Sequence, residues 1–250
     1  MNLEFYQQAK EKILGRKREN QGIGTLSEKT IHAVIKNAYE PDEARQEIPL
    51  EGYVADIFRD GQVFEIQTAG FDRLRKKLAT FLPLYSTTII YPIPSIKWLI
   101  WIDPVTGEYS KPRKSPLRGN IYFIFPELYK IKSYLKEENL HIHIILMEMS
   151  EYRLLNGWSK DKKKGSNRYD RIPGEITEEL LLEKKEDFMQ FIPEEWRLDT
   201  KKKFTSKEFA QFAGISVSLS QVTLNILFDL GIVKRCGKKG NAYLYQIQFK

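Results

Sequence analysis

The chain has 250 residues, 42% hydrophobic and 29% charged, with a net charge of +7; that length fits one or two domains and supports a sizeable core. No apolar run approaches the ~20 residues a membrane helix needs, and the single cysteine, Cys236, excludes an internal disulfide. The polar start MNLEFYQQAKEKILGRKREN is no secretory signal, so the expectation is a cytoplasmic protein with no membrane partner.

The charge is unevenly placed. Residues 200–250 hold nine Lys and Arg but only two acids, which is the whole excess. Such asymmetry suits a polyanion partner, and a solvated Lys-rich face is also open.

Residues 1–25 read as an N-terminal helical extension, with Phe5, Ala9 and Ile13 at helical spacing. In LSEKTIHAVIKNAYE, Ser27 is placed to cap a helix and Leu26 to staple onto Ile31. Ile31, Val34, Ile35 and Ala38 form one stripe, with Glu28, His32 and Lys36 on another face. After the break at Pro41, EIPLEGYVADIF and QVFEIQT flank Arg59-Asp60-Gly61, and Asp-Gly between β-rich runs predicts a hairpin. FDRLRKKLATFL repeats apolar residues at helical spacing. STTIIYPIP, KWLIWID, NIYFIF and HIHIILMEM are strand candidates, and LYKIKSYLKEEN reads as a helix. WSKDKKKGSNRYDRIPGE reads as a loop, and TEELLLEKKEDFMQFI as a charged linker helix within 176–199. The fold class is α/β.

Asp56 and Glu65 stand nine positions apart across the turn, each among apolar residues. In a hairpin they can reach one region, where two carboxylates repel unless a proton or cation joins them. A hard cation such as Mg²⁺ takes oxygen ligands of this kind and can activate water against a phosphodiester. Glu65 and Gln67 share a face, since strand side chains alternate. Ordinary solvent-facing alternation also accounts for both acids.

A helix with Glu28, a hairpin with Asp56 and Glu65-Ile66-Gln67, then a helix and a strand resembles the PD-(D/E)XK nuclease superfamily, over about Leu26 to Pro94. The resemblance implies a restriction-endonuclease-like α-β-β-α-β core with a mixed sheet, in a domain over 26–175. It also implies Mg²⁺, with Mn²⁺ as substitute, held by Asp56, Glu65 and the Ile66 carbonyl, with Glu28 assisting through water. The third motif position is usually Lys; here it is Gln67, which hydrogen-bonds but brings no charge, although some active members carry Gln there. Arg75 or Lys77 on the next helix could supply the cation, and a solvated flank is the alternative for both. His32 shares a face with Glu28 and could touch the site or serve as a structural histidine. GIGTLSEKTIHAVIKNAY, VADIFRDGQVFEIQT and KPRKSPLRGN are also similar to an uncharacterised prokaryotic family that joins such a domain to a winged helix.

Two basic segments suit a phosphate backbone. One carries Lys111, Arg113, Lys114 and Arg118; the other carries Lys160, Lys162, Lys163, Lys164, Arg168 and Arg171, with Trp158 and Tyr169 able to stack on bases. Flexible soluble loops remain the plain alternative.

Residues 200–250 resemble a winged helix-turn-helix domain. Thr205-x-x-Glu208 is a capping box beside the staple Phe204–Phe209, Phe209, Phe212 and Ala213 face inward, and the helix stops at Gly214. A second helix is expected from Ser218 or Ser220, with Val222, Ile226, Leu227 and Leu230 inward and Ser218, Gln221, Asn225 and Asp229 on a polar face. It is followed by a basic hairpin around GKKGN. The resemblance implies base contacts from Gln221 and Asn225 and phosphate contacts from Lys234, Arg235, Lys238 and Lys239, with double-stranded DNA as partner. Winged helices also dock proteins.

The leading expectation is a metal-dependent DNA endonuclease targeted by a winged helix. The alternatives are a non-catalytic DNA-binding regulator with a degenerate nuclease-like domain, and a protein-binding adaptor. Many nucleases of this type act as dimers, so a homodimer is open, although no dimer face is legible.

Overall fold

The structure is a computed structural model that describes residues 1–19, 30–157, 167–199 and 201–248. Two helices open it, α1 (Leu3–Glu19) and α2 (Thr30–Tyr39), packed through Tyr6, Ala9, Ala33 and Val34. Then come β1 (Gln46–Leu50), β2 (Tyr53–Arg59) and β3 (Gln62–Ile66). The β2–β3 turn forms as predicted: Asp60 and Gly61 take φ of 52° and 76°, the left-handed pair that a tight two-residue hairpin needs.

A crossover through the 3-10 turn Phe71–Leu74 and α3 (Arg75–Phe81) leads to β4 (Ser86–Ile102), which pairs parallel with β3. β5 (Arg113–Lys114) takes the edge of β4 that β3 has left. A second crossover, Ile121–Ile124 and α4 (Phe125–Lys130), leads to β6 (Leu140–Leu154), parallel to β4, and β7 (Asn167–Leu182) returns antiparallel to β6. The mixed seven-stranded sheet runs β1-β2-β3-β4-β6-β7 with β5 beside β4. STTIIYPIP and KWLIWID are thus one strand, with a register shift between Pro94 and Ile96. Its prolines lose no ladder bond. The carbonyls of Ile90 and Pro94 point away from β6, to Gln67 and Gly119, and β3 has already ended opposite Ile90. Gly119 has no room for a side chain: a Cβ there would meet the Pro94 oxygen at 2.3 Å.

Two expectations are corrected. NIYFIF is not a strand: Asn120 Oδ1 accepts from Tyr122 N (3.1 Å) and starts a 3-10 turn that continues into α4, with Pro126 in its first turn. Aromatic and β-branched composition does not separate these states. TEELLLEKKEDFMQFI is not a linker helix: its first residues finish β7, Lys185–Phe191 is 3-10, and α5 (Glu194–Arg197) is one turn. β6 offers β7 a partner along its whole length, and that overrides the helix propensity of Glu and Leu. The RYDRIPGE part of the expected loop likewise lies in β7.

β8 (Lys203–Phe204), α6 (Ser206–Ala213), α7 (Val217–Asp229), β9 (Val233–Lys239) and β10 (Ala242–Ile247) complete the chain, in an antiparallel sheet of order β8-β10-β9. The Thr205–Glu208 capping box forms and Gly214 ends α6 at φ 63°. α7 begins earlier than expected, capped by Ser216, and Phe212 is exposed rather than buried.

One face of the large sheet is covered by α2 through Ile31, Ile35, Ile57, Ile66, Ile90 and Met147. The other face continues without a break from Phe71, Leu78, Ile89 and Phe125 through Phe191 and Trp196 into Phe204, Phe209 and Leu227. The C-terminal unit therefore shares a core with the first. Phe209 is fully buried, 5.8 Å from the Tyr122 ring and 6.1 Å from that of Trp196. Phe209→Ala should cost about 3–5 kcal/mol. In chemical denaturation, Trp fluorescence and far-UV circular dichroism should keep one common midpoint, shifted down; separated midpoints would contradict the shared core.

Candidate active site

The site begins with an anchor. Thr30, the first described residue of α2, donates its amide to Asp170 Oδ1 at 3.2 Å and its hydroxyl to Oδ2, so β7 holds this part of the helix in place. Two residues on, His32 Nε2 lies 3.2 Å from Asp56 Oδ2.

The β2–β3 ladder runs from Arg59↔Gln62 to Ile57↔Phe64 and stops. Asp56 and Glu65 would be the next pair. Instead Asp56 Oδ2 accepts from Ile66 N at 2.8 Å, and Asp56 N donates to Glu65 Oε1 at 3.4 Å. β3 continues alongside β4, with Glu65 opposite Ile89. The strands part, and two carboxylates fill the fork. Glu65 is 1% exposed. Its Oε2 accepts from Lys77 Nζ at 2.6 Å.

Lys77 is aimed by its helix. The neighbouring Leu78 and Phe81 are buried, and the ammonium lies 5.8 Å from the Phe81 ring centre. Upstream, Glu127 of α4 accepts from Gly70 N and Phe71 N (2.8 and 2.9 Å), which fixes the turn from β3 into α3. For Lys77 the solvated-flank alternative is therefore wrong: the side chain is 15% exposed and turned inward. Arg75 reaches the Lys130 carbonyl instead, at 2.6 Å.

Burial raises Glu65, the Asp56 charge raises it further, and Lys77 opposes both; it settles at about 7. Burial would raise Asp56 as well, but the His32 hydrogen bond and charge, the Ile66 amide and Lys77 bring it below the usual aspartate range. The two acids are thus pushed apart, as close carboxylates are.

Gln67 donates its amide to the Ile90 carbonyl at 2.9 Å, and its side chain has no hydrogen-bond partner among the described residues. Glu28, with Ser27 and Leu26, lies outside the described residues, as do Trp158, Lys160 and Lys162, Lys163 and Lys164. Among the described residues no group of three or more His, Cys, Asp and Glu is arranged to hold a metal ion. The pair alone still suits an oxygen-liganded cation. Asp56 Oδ1 accepts no hydrogen bond among the described residues, and the repulsion that lifts Glu65 is what a cation between the two would relieve.

Gln221 is exposed on α7. Asn225 is engaged within the protein: its Oδ1 accepts from Lys132 Nζ at 3.0 Å, and Asp229 pairs with Lys132 and Lys136. In the β9–β10 hairpin, Lys234, Arg235, Lys238 and Lys239 are exposed. The Arg235 guanidinium stacks on Phe228 and Tyr243 at 4.6 and 4.2 Å. Arg113, Lys114 and Arg118 are exposed beside β4, and Lys114 lies over the Trp98 ring at 5.5 Å.

Residues 29–183 match the family described as Domain of unknown function (DUF8091). The chain belongs to that family. The matched span holds α2, the fork and the whole large sheet, and it ends one residue after β7. A relative titled "Uncharacterized protein" from Treponema pallidum (strain Nichols) is 30% identical over 162 residues, 64% of this chain. That stretch spans 61% of the relative's length. No solved structure matches the chain. Among the described residues no single helix is long and apolar enough to cross a membrane.

The pH dependence follows from the two acids. Glu65 is raised from 4.5 to about 7, so the stability it contributes is complete below 4.5 and lost as pH rises through about 7. Asp56, held low, contributes above its ordinary range and loses that contribution as pH falls through its folded value. Carboxyl ¹³C NMR should find Glu65 titrating near 7, higher still in Lys77→Met and lower in Asp56→Asn. Titration at 4.5 in the unmodified protein would mean that the acids share no pocket.

Proposed function

We propose that the chain is a Mg²⁺-dependent DNA endonuclease of the PD-(D/E)XK type, joined to a C-terminal winged helix. The observation that carries this reading is the fork: Asp56 and Glu65 converge where β2 and β3 part, with Lys77 at 2.6 Å from Glu65. Helix α2, the β2–β3 hairpin, α3 and a β4 parallel to β3 follow the order of a restriction-endonuclease-like core. Lys77, from the next helix, stands in for the lysine that Gln67 replaces in the motif. In the C-terminal unit, the order β8, α6, α7, β9, β10 with a basic, exposed hairpin is that of a winged helix.

In this reading Asp56 and Glu65 hold the cation, and His32 and the Ile66 amide fix the Asp56 carboxylate. When bound, Mg²⁺, or Mn²⁺ in its place, supplies Lewis-acid polarisation of the phosphate and acidifies a water. Lys77 puts a positive charge where negative charge develops on the phosphate oxygens. Arg235, with Lys234, Lys238 and Lys239, gives the hairpin its phosphate-facing charge. Because Asn225 is engaged by Lys132, the hairpin and Gln221 carry more of the DNA contact than the polar face of α7.

One observation favours a second reading, a DNA-binding regulator that does not cut. Lys77 already neutralises Glu65 Oε2, the place a metal would take.

Incubating supercoiled plasmid with Mg²⁺ or Mn²⁺ separates the readings. The enzyme should nick it, and Asp56→Ala and Lys77→Met should each slow nicking by about 10²–10³-fold. Salt-sensitive duplex binding with no nicking would give the regulator; neither nicking nor binding would leave a protein-docking adaptor.

A further inference from the structure

Away from the fork, β6 buries a third acid. Glu151 is 0% exposed, and four cations surround it. Arg153 takes Oε1 through Nε at 2.7 Å. Lys97, Arg168 and Arg171 divide Oε2 at 3.5, 3.5 and 3.3 Å. A full charge-assisted hydrogen bond is about 2.7–2.9 Å, so one oxygen gives each of these three only a loose partner. Lys97 and Arg171 are mostly buried, 17% and 18% exposed, while Arg168 opens to solvent at 49%. Like charges gathered at a partly buried site repel strongly. Burial holds Lys97 below its usual range, and Arg171 and Arg153 add to this; burial and Arg168 do the same to Arg171. Burial would raise Glu151, yet Lys97 and the arginines hold it at about 2, so it stays ionised as their anchor.

Strand register extends the cluster into a row. Arg113 pairs with Leu99, Leu99 with Glu151, and Glu151 with Arg171, across β5, β4, β6 and β7. One link ties the row to the fork: Asp170, beside Arg171, accepts from Thr30 of the helix that brings His32 to Asp56.

We propose that Lys97, Arg168 and Arg171, assembled on Glu151 and extended by Arg113, form a phosphate-binding site that grips the phosphodiester backbone of DNA. The site is separate from both the winged-helix hairpin and the acidic fork. It takes the identity of its ligand from the nucleic-acid reading above but does not depend on cleavage. The oxygens of a phosphate supply the acceptors that Glu151 Oε2 alone cannot.

The test measures binding of a fluorescein-labelled short duplex to the full chain by anisotropy, in EDTA so that nothing is cut, over a range of KCl. Lys97→Gln/Arg168→Gln should weaken binding by about tenfold or more, and should lower the slope of log affinity against log salt by about 2, one for each lost phosphate contact. The single variant Arg168→Gln alters an exposed side chain and should lower the slope by about 1. Lys184→Gln/Lys185→Gln removes equal charge elsewhere and should keep the slope of the unmodified protein. An unchanged slope in Arg168→Gln, with circular dichroism showing the fold intact, overturns the site, as does a slope that falls only in Lys234→Gln/Lys238→Gln on the hairpin. If the unmodified chain binds no duplex, the nucleic-acid reading has failed, and inorganic phosphate decides. Thermal stabilisation by phosphate that is lost in Arg168→Gln keeps the site as one for free phosphate; no stabilisation overturns it.

Discussion

Everything around the fork answers to one constraint: two carboxylates occupy a place where a β-ladder would ordinarily close. Ladder hydrogen bonds satisfy backbone groups at little cost, whereas buried carboxylates must find charge or donors. Here the Asp56 oxygen takes the Ile66 amide that the ladder leaves unmatched, and the Asp56 amide turns to Glu65. His32 and Lys77 then come from different helices on different sides. The sheet therefore cannot hold its acids without α2 and α3 in place, and each helix is anchored by a distant strand or helix, α2 by Asp170 and the approach to α3 by Glu127. Such a set of mutually dependent polar contacts leaves the two acids with separated proton affinities, Glu65 raised and Asp56 lowered.

The second organising feature is the length of β4, β6 and β7. The starts of β4 and β6 and the end of β7 pack the helical layers; the ends of β4 and β6 and the start of β7 gather Glu151 and its cations. The register shifts near Pro94 and Met147 let strands of this length bend rather than run flat. The acids on β2 and β3 and the basic row on β4 to β7 are thus built on one sheet. The C-terminal unit joins the same body through Phe191, Trp196 and Phe209, and Lys132 and Lys136 hold the polar side of α7. Docking leaves the Arg235–Tyr243 hairpin as the outward surface of that unit.

Much of this was legible along the chain, because the signals were local. Asp60-Gly61 encodes a turn through backbone sterics, and that turn alone brings positions 56 and 65 opposite each other. Thr205-x-x-Glu208 encodes its own cap, and the following Gly214 its own stop. The misreadings share the opposite property. Nothing within TEELLL says strand until β6 lies beside it, and NIYFIF fits either state until Asn120 caps the turn. Asn225 looks like a base reader on an isolated helix, and Lys132, 93 positions away, gives it another partner.

By itself the sequence determined the hairpin that sets positions 56 and 65 opposite each other, the capping box of the first C-terminal helix and the concentration of positive charge there. These follow from turn geometry, capping and side-chain period, which act over a few residues. Only the tertiary structure decided that Lys77 turns inward, that Glu151 collects cations from three strands, and that the two units share one core. Those outcomes depend on which buried charges and apolar faces meet across the fold, and burial and long-range pairing do not exist until the chain has closed on itself.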